Sequence, residues 1–151
     1  MTALLLSDAL VEQTRRQLLE RDVWYGLSGL LVTGESVARH LTAAAGLMER
    51  KGWDPQLYAP FSGHHLRDAL TSTRDDGMGD ADTQFVARAV LEAILRLATG
   101  APYVDYEVWS EHPVRTLDEV LAACRTASAL ALQHGPGPGQ ADGKALDAGE
   151  R

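Results

Sequence analysis

A single cysteine, Cys124, rules out an intramolecular disulfide and any multi-cysteine zinc or iron–sulfur framework. Basic residues are scarce as well. They never stand more than two together (Arg15-Arg16 and Arg50-Lys51), and fourteen Lys/Arg face twenty-one Asp/Glu for a net charge of −7. Phosphate neutralisation by Lys and Arg supplies most non-specific affinity for nucleic acid, so no nucleic-acid partner is expected. The most apolar stretch, Trp24 to Val32, is broken by Gly26, Ser28 and Gly29. That falls far short of the ~20 apolar residues of a spanning helix, and no membrane association is expected. The opening Met1-Thr2-Ala3-Leu4-Leu5-Leu6-Ser7-Asp8 has no basic residue before its apolar run, unlike a secretory signal. The reading is a cytoplasmic protein. Gly26 to Gly34 lacks the Gly-Lys-Ser/Thr ending of a phosphate loop, and no Ser-His-Asp frame with a nucleophile elbow is visible.

What remains is an ordinary globular composition over 151 residues, 45% apolar and 23% charged, enough for one self-sufficient core. Twenty-two alanines keep the core volume small and favour close helix approach. Helical periodicity runs from about Ser7 to Asp22, from Glu35 to Lys51 with Gly52 as its stop, and briefly through Leu66, Ala69 and Leu70 after a cap at Ser62. A wide apolar face (Phe85, Val86, Ala89, Val90, Ala93, Ile94, Leu97) begins at Asp80 or Asp82 and ends at Gly100, and should be the centre of the core. Thr116-Leu117-Asp118-Glu119 is a capping box opening the last helix. Trp24–Val32 reads as a short buried helix or an irregular packed segment. From Tyr103 to Trp109 alternation points to one short extended segment. The expected fold is mainly α, a compact bundle of five to six helices with at most one short extended segment near residues 103–109. Residues 1–34 form a helical extension packed on a core domain, 35–134, and the Gly/Pro-rich stretch 135–151 reads as a disordered tail.

The acid is concentrated. Residues 68–82 and 105–119 each carry −4, and the remainder sums to +1. In the second segment Asp105, Glu107, Glu111 and His112 stand beside Trp109 and Arg115, carboxylates and an imidazole fit for general acid–base work or ligand binding in a cleft. The competing reading is an exposed edge, with Arg115 paired to Glu111 or Asp118 or packed on Trp109. His64, His65 and Asp68 form the best metal-like cluster, since residues four apart share a helix face. A third ligand would come from the 75–82 loop, His40 or His112; the competing reading is a solvated helix start. Trp53 and Trp109 read as core anchors. Cys124 lies on an apolar helix face, where a buried thiol is inert.

Two blocks carry a family resemblance. They are His40-Leu41-Thr42-Ala43-Ala44-Ala45-Gly46-Leu47-Met48-Glu49-Arg50-Lys51-Gly52-Trp53 and Val108-Trp109-Ser110-Glu111-His112-Pro113-Val114-Arg115-Thr116-Leu117-Asp118-Glu119-Val120-Leu121. Together they resemble a family of small actinobacterial and actinophage proteins known only as a domain of unknown function. The likeness covers about Ser36 to Ala131, with Ser110-Glu111 where that family often has Asn-Asp. It implies a fold and a host range, and no activity.

The function expected is that of a non-enzymatic accessory or regulatory protein binding another protein, its acidic segments facing a partner. Self-association through Leu27, Leu30, Leu31 and Val32 is an added expectation. The alternative is a small metal-dependent enzyme or ligand-binding protein using His64, His65, Asp68 and the acidic loops. No cofactor is expected.

Overall fold

Helices in this chain begin where a side chain accepts from the first unpaired N–H groups of a turn. The computed structural model describes residues 23–53 and 65–138, together with Ala9, Glu12, Gln13 and Arg16. Among the described residues there are five helices: α1 (Gly34–Lys51), α2 (Leu66–Asp75), α3 (Ala81–Thr99), α4 (Tyr106–Glu111) and α5 (Leu117–His134). Thr33 caps α1 by accepting from the Ser36 N–H at 3.1 Å, and Asp80 caps α3 by accepting from Thr83 at 2.8 Å. Thr116 and Glu119 form the reciprocal box at α5. The mainly α fold is the one the periodicity predicts. Of the helix expected over 7–22, the four described positions are helical and exposed; the rest lies outside the described residues.

Three local expectations change. α2 is capped by His65, whose Nδ1 accepts from the Asp68 N–H at 2.9 Å, and not by Ser62, which lies outside the described residues. An imidazole lone pair serves the same donor that a hydroxyl would. The alternating residues 103–109 form no extended segment. The Asp105 carboxylate takes the N–H groups of Glu107 and Val108 at 2.9 and 3.2 Å, Glu92 takes that of Tyr106 at 3.0 Å, and α4 follows. With its donors satisfied by the Asp105 and Glu92 carboxylates, the segment needs no strand partner. Tyr106 and Ser110, four apart, are buried, whereas Val108 is exposed. On α3, Leu91 and Leu95 join the buried face, while Phe85 sits at its edge, 38% exposed.

Trp24–Val32 is the irregular alternative, a hairpin-like loop. Val32 donates to the Trp24 carbonyl at 2.7 Å and Gly26 to that of Leu30 at 2.9 Å, with an isolated bridge between Tyr25 and Leu31. Trp24 and Val32 enter the core; Leu27 and Leu30 stand at the exposed tip. The tip is fixed to the first turn of α3, because the N–H and hydroxyl of Ser28 both donate to Asp82. These hydrogen bonds, the hydroxyl first, hold the Asp82 carboxyl below its ordinary range.

α3 touches all four other helices, and the most extensive contact is between α1 and α5. That pair buries Ala38, Ala44 and Ala45 against Ala123, Ala127 and Ala131. Ser128 donates to the Ala38 carbonyl at 2.9 Å. At one end Gly34 meets Gly135, and the Gly34 N–H donates to the Pro136 carbonyl at 2.9 Å. A Cβ at Gly34 would overlap the Ala131 carbonyl oxygen. Gly34→Ala should therefore destabilise by about 1–3 kcal/mol, the usual cost of overpacking. By contrast Gly46→Ala meets only the flexible end of Arg50 and should stabilise by about 0.5–1 kcal/mol through helix propensity. Urea denaturation of the two variants checks both signs.

His40 on α1 is fully buried, with Nδ1 2.9 Å from the Met78 carbonyl. A carbonyl only accepts, so Nδ1 carries the proton, and Nε2 is left buried without a partner. Burial pushes this imidazole below 6.5, with Arg74 adding to the shift and the Met78 carbonyl and Asp80 opposing it. The unfolded chain then binds the proton more readily than the native one, so stability falls as pH drops below about 6.5. Thermal melts between pH 7 and 5 should show this decline, and His40→Leu should flatten it.

Candidate functional site

The candidate residues of segment 105–115 turn to several different partners once folded. Asp105 is engaged in capping α4. Glu107 turns toward α2, 3.7 Å from Arg67. Glu111 is half-buried, and His112 is exposed, its Nδ1 accepting from the Val114 N–H at 3.3 Å. The side chains of Trp109 and Arg115 come together closely. The guanidinium lies 4.1 Å from the Trp109 ring centroid, and its Nε donates to the Trp109 carbonyl at 2.9 Å. Its ion pair is with Glu119, in the first turn of α5, at 3.0 Å rather than with Glu111 or Asp118. Burial opposes ionisation of Glu119, but Thr116 and Arg115 outweigh it and its carboxyl lies below the ordinary value. Arg115 is thus a clamp that closes the turn between α4 and α5.

The metal-like cluster is only partly in view. His64 lies outside the described residues, His65 uses Nδ1 to cap α2, and Asp68 is half-buried one turn on. Among the described residues no group of three His, Cys, Asp or Glu side chains is placed to hold a metal ion. Cys124 is fully buried, and burial pushes its thiol up to about 12, which keeps it a neutral packing group. Trp53 is half-buried against the core.

Two of the cavities among the described residues bear on function. One, of about 340 Å³, lies over the Gly77-Met78-Gly79 turn with Arg39, Ser36 and Asp80 at its rim. Its polar groups are already engaged: Arg39 with Glu35 at 2.7 Å, Ser36 with Thr33, and Asp80 with Thr83. The other, of about 320 Å³, lies between α2 and α3. Arg67, Thr71 and Arg74 face it from α2, and Ala81, Gln84, Phe85 and Arg88 from α3. Leu27 of the hairpin and Tyr106 of α4 also line it, and among the described residues the lining includes no carboxylate. Burial pushes the Tyr106 phenol up to about 12, with Glu107 adding to the shift, so the ring stays neutral. The Arg88 guanidinium lies 5.5 Å from its centroid. Gln84 donates to the Thr71 hydroxyl at 3.1 Å, while its Oε1 is buried without a partner.

None of these arginines stands out in the sequence, since Arg67 borders an acidic run and Arg74 lies within it. The available signal was spacing: 67, 71 and 74 share one helix face, and 81, 84, 85 and 88 another.

A family model matches residues 32–130, from the end of the hairpin through most of α5. The chain belongs to the family of unknown function DUF6197. Both sequence blocks behind the resemblance lie inside the matched span, as do Trp109 and Arg115 and every residue of the α2–α3 cavity except Leu27. No curated protein and no solved structure matches the chain. No helix among the described residues is long and apolar enough to cross a membrane.

In this DUF6197 member the Arg115 clamp depends on a planar fork that lysine lacks. Arg115→Lys should cost about 1–2 kcal/mol through the lost stacking and the lost bond to the Trp109 carbonyl. It should also change Trp109 fluorescence in the folded protein. Equilibrium denaturation followed by tryptophan emission reads both.

Proposed function

We propose that this protein is a non-enzymatic accessory or regulatory protein of the cytoplasm that works by binding another protein. On the strength of the sequence resemblance, its hosts are actinobacteria and their phages. The observation that carries the reading is the segment 103–114, in which Tyr103, Val108 and Val114 are 71%, 68% and 71% exposed. Isolated exposed apolar side chains are ordinary, but three in one segment beside Glu107 and Glu111 make a surface suited to a partner. The mount is rigid. Tyr106 and Ser110 are buried beneath α4, Asp105 caps it, and Arg115 clamps the turn that follows. A fixed backbone lowers the ordering cost of association. The flanking acid favours a partner with an apolar socket and a basic rim.

Affinity capture from an actinobacterial host, comparing wild type with the double variant Tyr103→Ser/Val108→Asp, tests this. Both side chains are exposed, so the variant should melt within a few degrees of wild type. Wild type should retain a stoichiometric partner, and the variant should bind it at least ~30-fold more weakly, as expected for loss of a central anchor. A wild type that retains no partner, or a variant that binds it equally, overturns the reading.

A further inference from the structure

The α2–α3 cavity has a chemistry the protein-binding reading does not use. In a chain of net charge −7 its described lining residues include three guanidiniums and no carboxylate. Two of these are only loosely engaged outside it. Arg67 is 3.7 Å from Glu107 and Arg74 is 3.4 Å from Asp75, and their side chains are 62% and 36% exposed. Exposed pairs of this length contribute little and are readily exchanged. A doubly charged anion offering paired oxygens would replace them with shorter, charge-assisted hydrogen bonds. Arg88, over the face of the neutral Tyr106 ring, supplies the third charge from the opposite wall.

Two further features say that the anion is part of a larger molecule. Gln84 Oε1 is a buried acceptor without a partner, and such a group costs free energy until a donor reaches it. The doubly ionised phosphoryl group of a monoester has no donor to give it; a hydroxyl or amino group on the attached body does. Phe85, on an otherwise buried helix face, stays 38% exposed, with Leu27 also at the cavity, so a flat apolar body has a surface to lie on. The volume of about 320 Å³ is at the small end of ligand sites, which run from about 300 to 1,000 Å³. It suits a molecule of mononucleotide size.

We propose that the cavity between α2 and α3 binds a small phosphate monoester of mononucleotide size, with Arg67, Arg74 and Arg88 holding the phosphate and Gln84 accepting a hydrogen bond from the attached body. Apart from Tyr106, which is buried beneath α4, the site stands on residues outside the 103–114 surface, so either can fail without the other.

The test is an amide-resolved NMR titration of the full chain at fixed ionic strength with adenosine monophosphate, inorganic phosphate and adenosine in separate arms. Adenosine monophosphate should give saturable shifts at Arg67, Thr71, Gln84 and Phe85, with inorganic phosphate at least about tenfold weaker and adenosine not saturating. Arg67→Gln and Arg88→Gln should each weaken the nucleotide about tenfold, the scale of one charge-assisted contact. Gln84→Glu keeps Thr71 as a hydrogen-bond partner, with the hydroxyl now donating, but sets a carboxylate against the phosphate and should abolish saturation. An unchanged pattern of amide peaks away from the cavity verifies that each variant is folded. No saturable response to the nucleotide, or equal affinity in wild type and Gln84→Glu, overturns the site. Inorganic phosphate binding as tightly as the nucleotide overturns the monoester.

Discussion

The close approach of Gly34 and Gly135 is the constraint on which the rest of the arrangement depends. Without side chains at these two positions, the start of α1 and the end of α5 come together, and the Gly34 N–H reaches the Pro136 carbonyl. The same glycine leaves room for the Trp24 ring, which lies against Gly135. Trp24 in turn fixes the base of the hairpin, so that Ser28 meets Asp82 at the first turn of α3 and Leu27 stands over the α2–α3 cavity. A contact between backbones at one end of the bundle thereby helps shape a cavity between two other helices. Small residues matter here because the α1–α5 interface is built on alanine, and close-packed interiors transmit displacement instead of absorbing it.

α4 is the second joint. Although short, it is held by Asp105 at its start, by Glu92 on the Tyr106 N–H and by the Arg115 clamp at its end. Tyr106 faces inward and forms one wall of the arginine-lined cavity, while Val108 stands outward on the exposed segment. One small element therefore borders both the cavity and the surface proposed for a partner.

Charge acquires a different meaning in three dimensions. Much of the acid has structural work: Asp80 and Asp105 cap helices, Glu119 closes the capping box and holds Arg115, and Asp82 secures the hairpin. Carboxylates at helix starts are also favoured by the helix dipole. Meanwhile Arg67 borders the acidic run 68–82 in sequence, Arg74 lies within it and Arg88 follows it, yet all three line one cavity with no carboxylate among its described lining residues. A sum along the chain hides this, because helices sort side chains by face and not by order.

The sequence by itself determined four of the five described helices, α1, α2, α3 and α5. Apolar spacing, the caps at Asp80 and Thr116 and the stops at Gly52 and Gly100 are local signals, each acting within one or two turns, so they are readable without knowing the fold. Local signals failed where donors are satisfied at a distance or by an unusual group: Glu92 on the Tyr106 N–H, His65 in place of a hydroxyl cap, and Ser28 on Asp82 across the fold. The candidate site was legible only in part. Trp109 and Arg115 do meet, since they are close in sequence, but Asp105, Glu107 and His112 turn to different partners. Which arginines share a cavity, which histidine is buried and which carboxylates stay engaged were decided by the packing of α2 on α3 and of α1 on α5. Those are contacts between residues far apart in the chain, and only the assembled core fixes them.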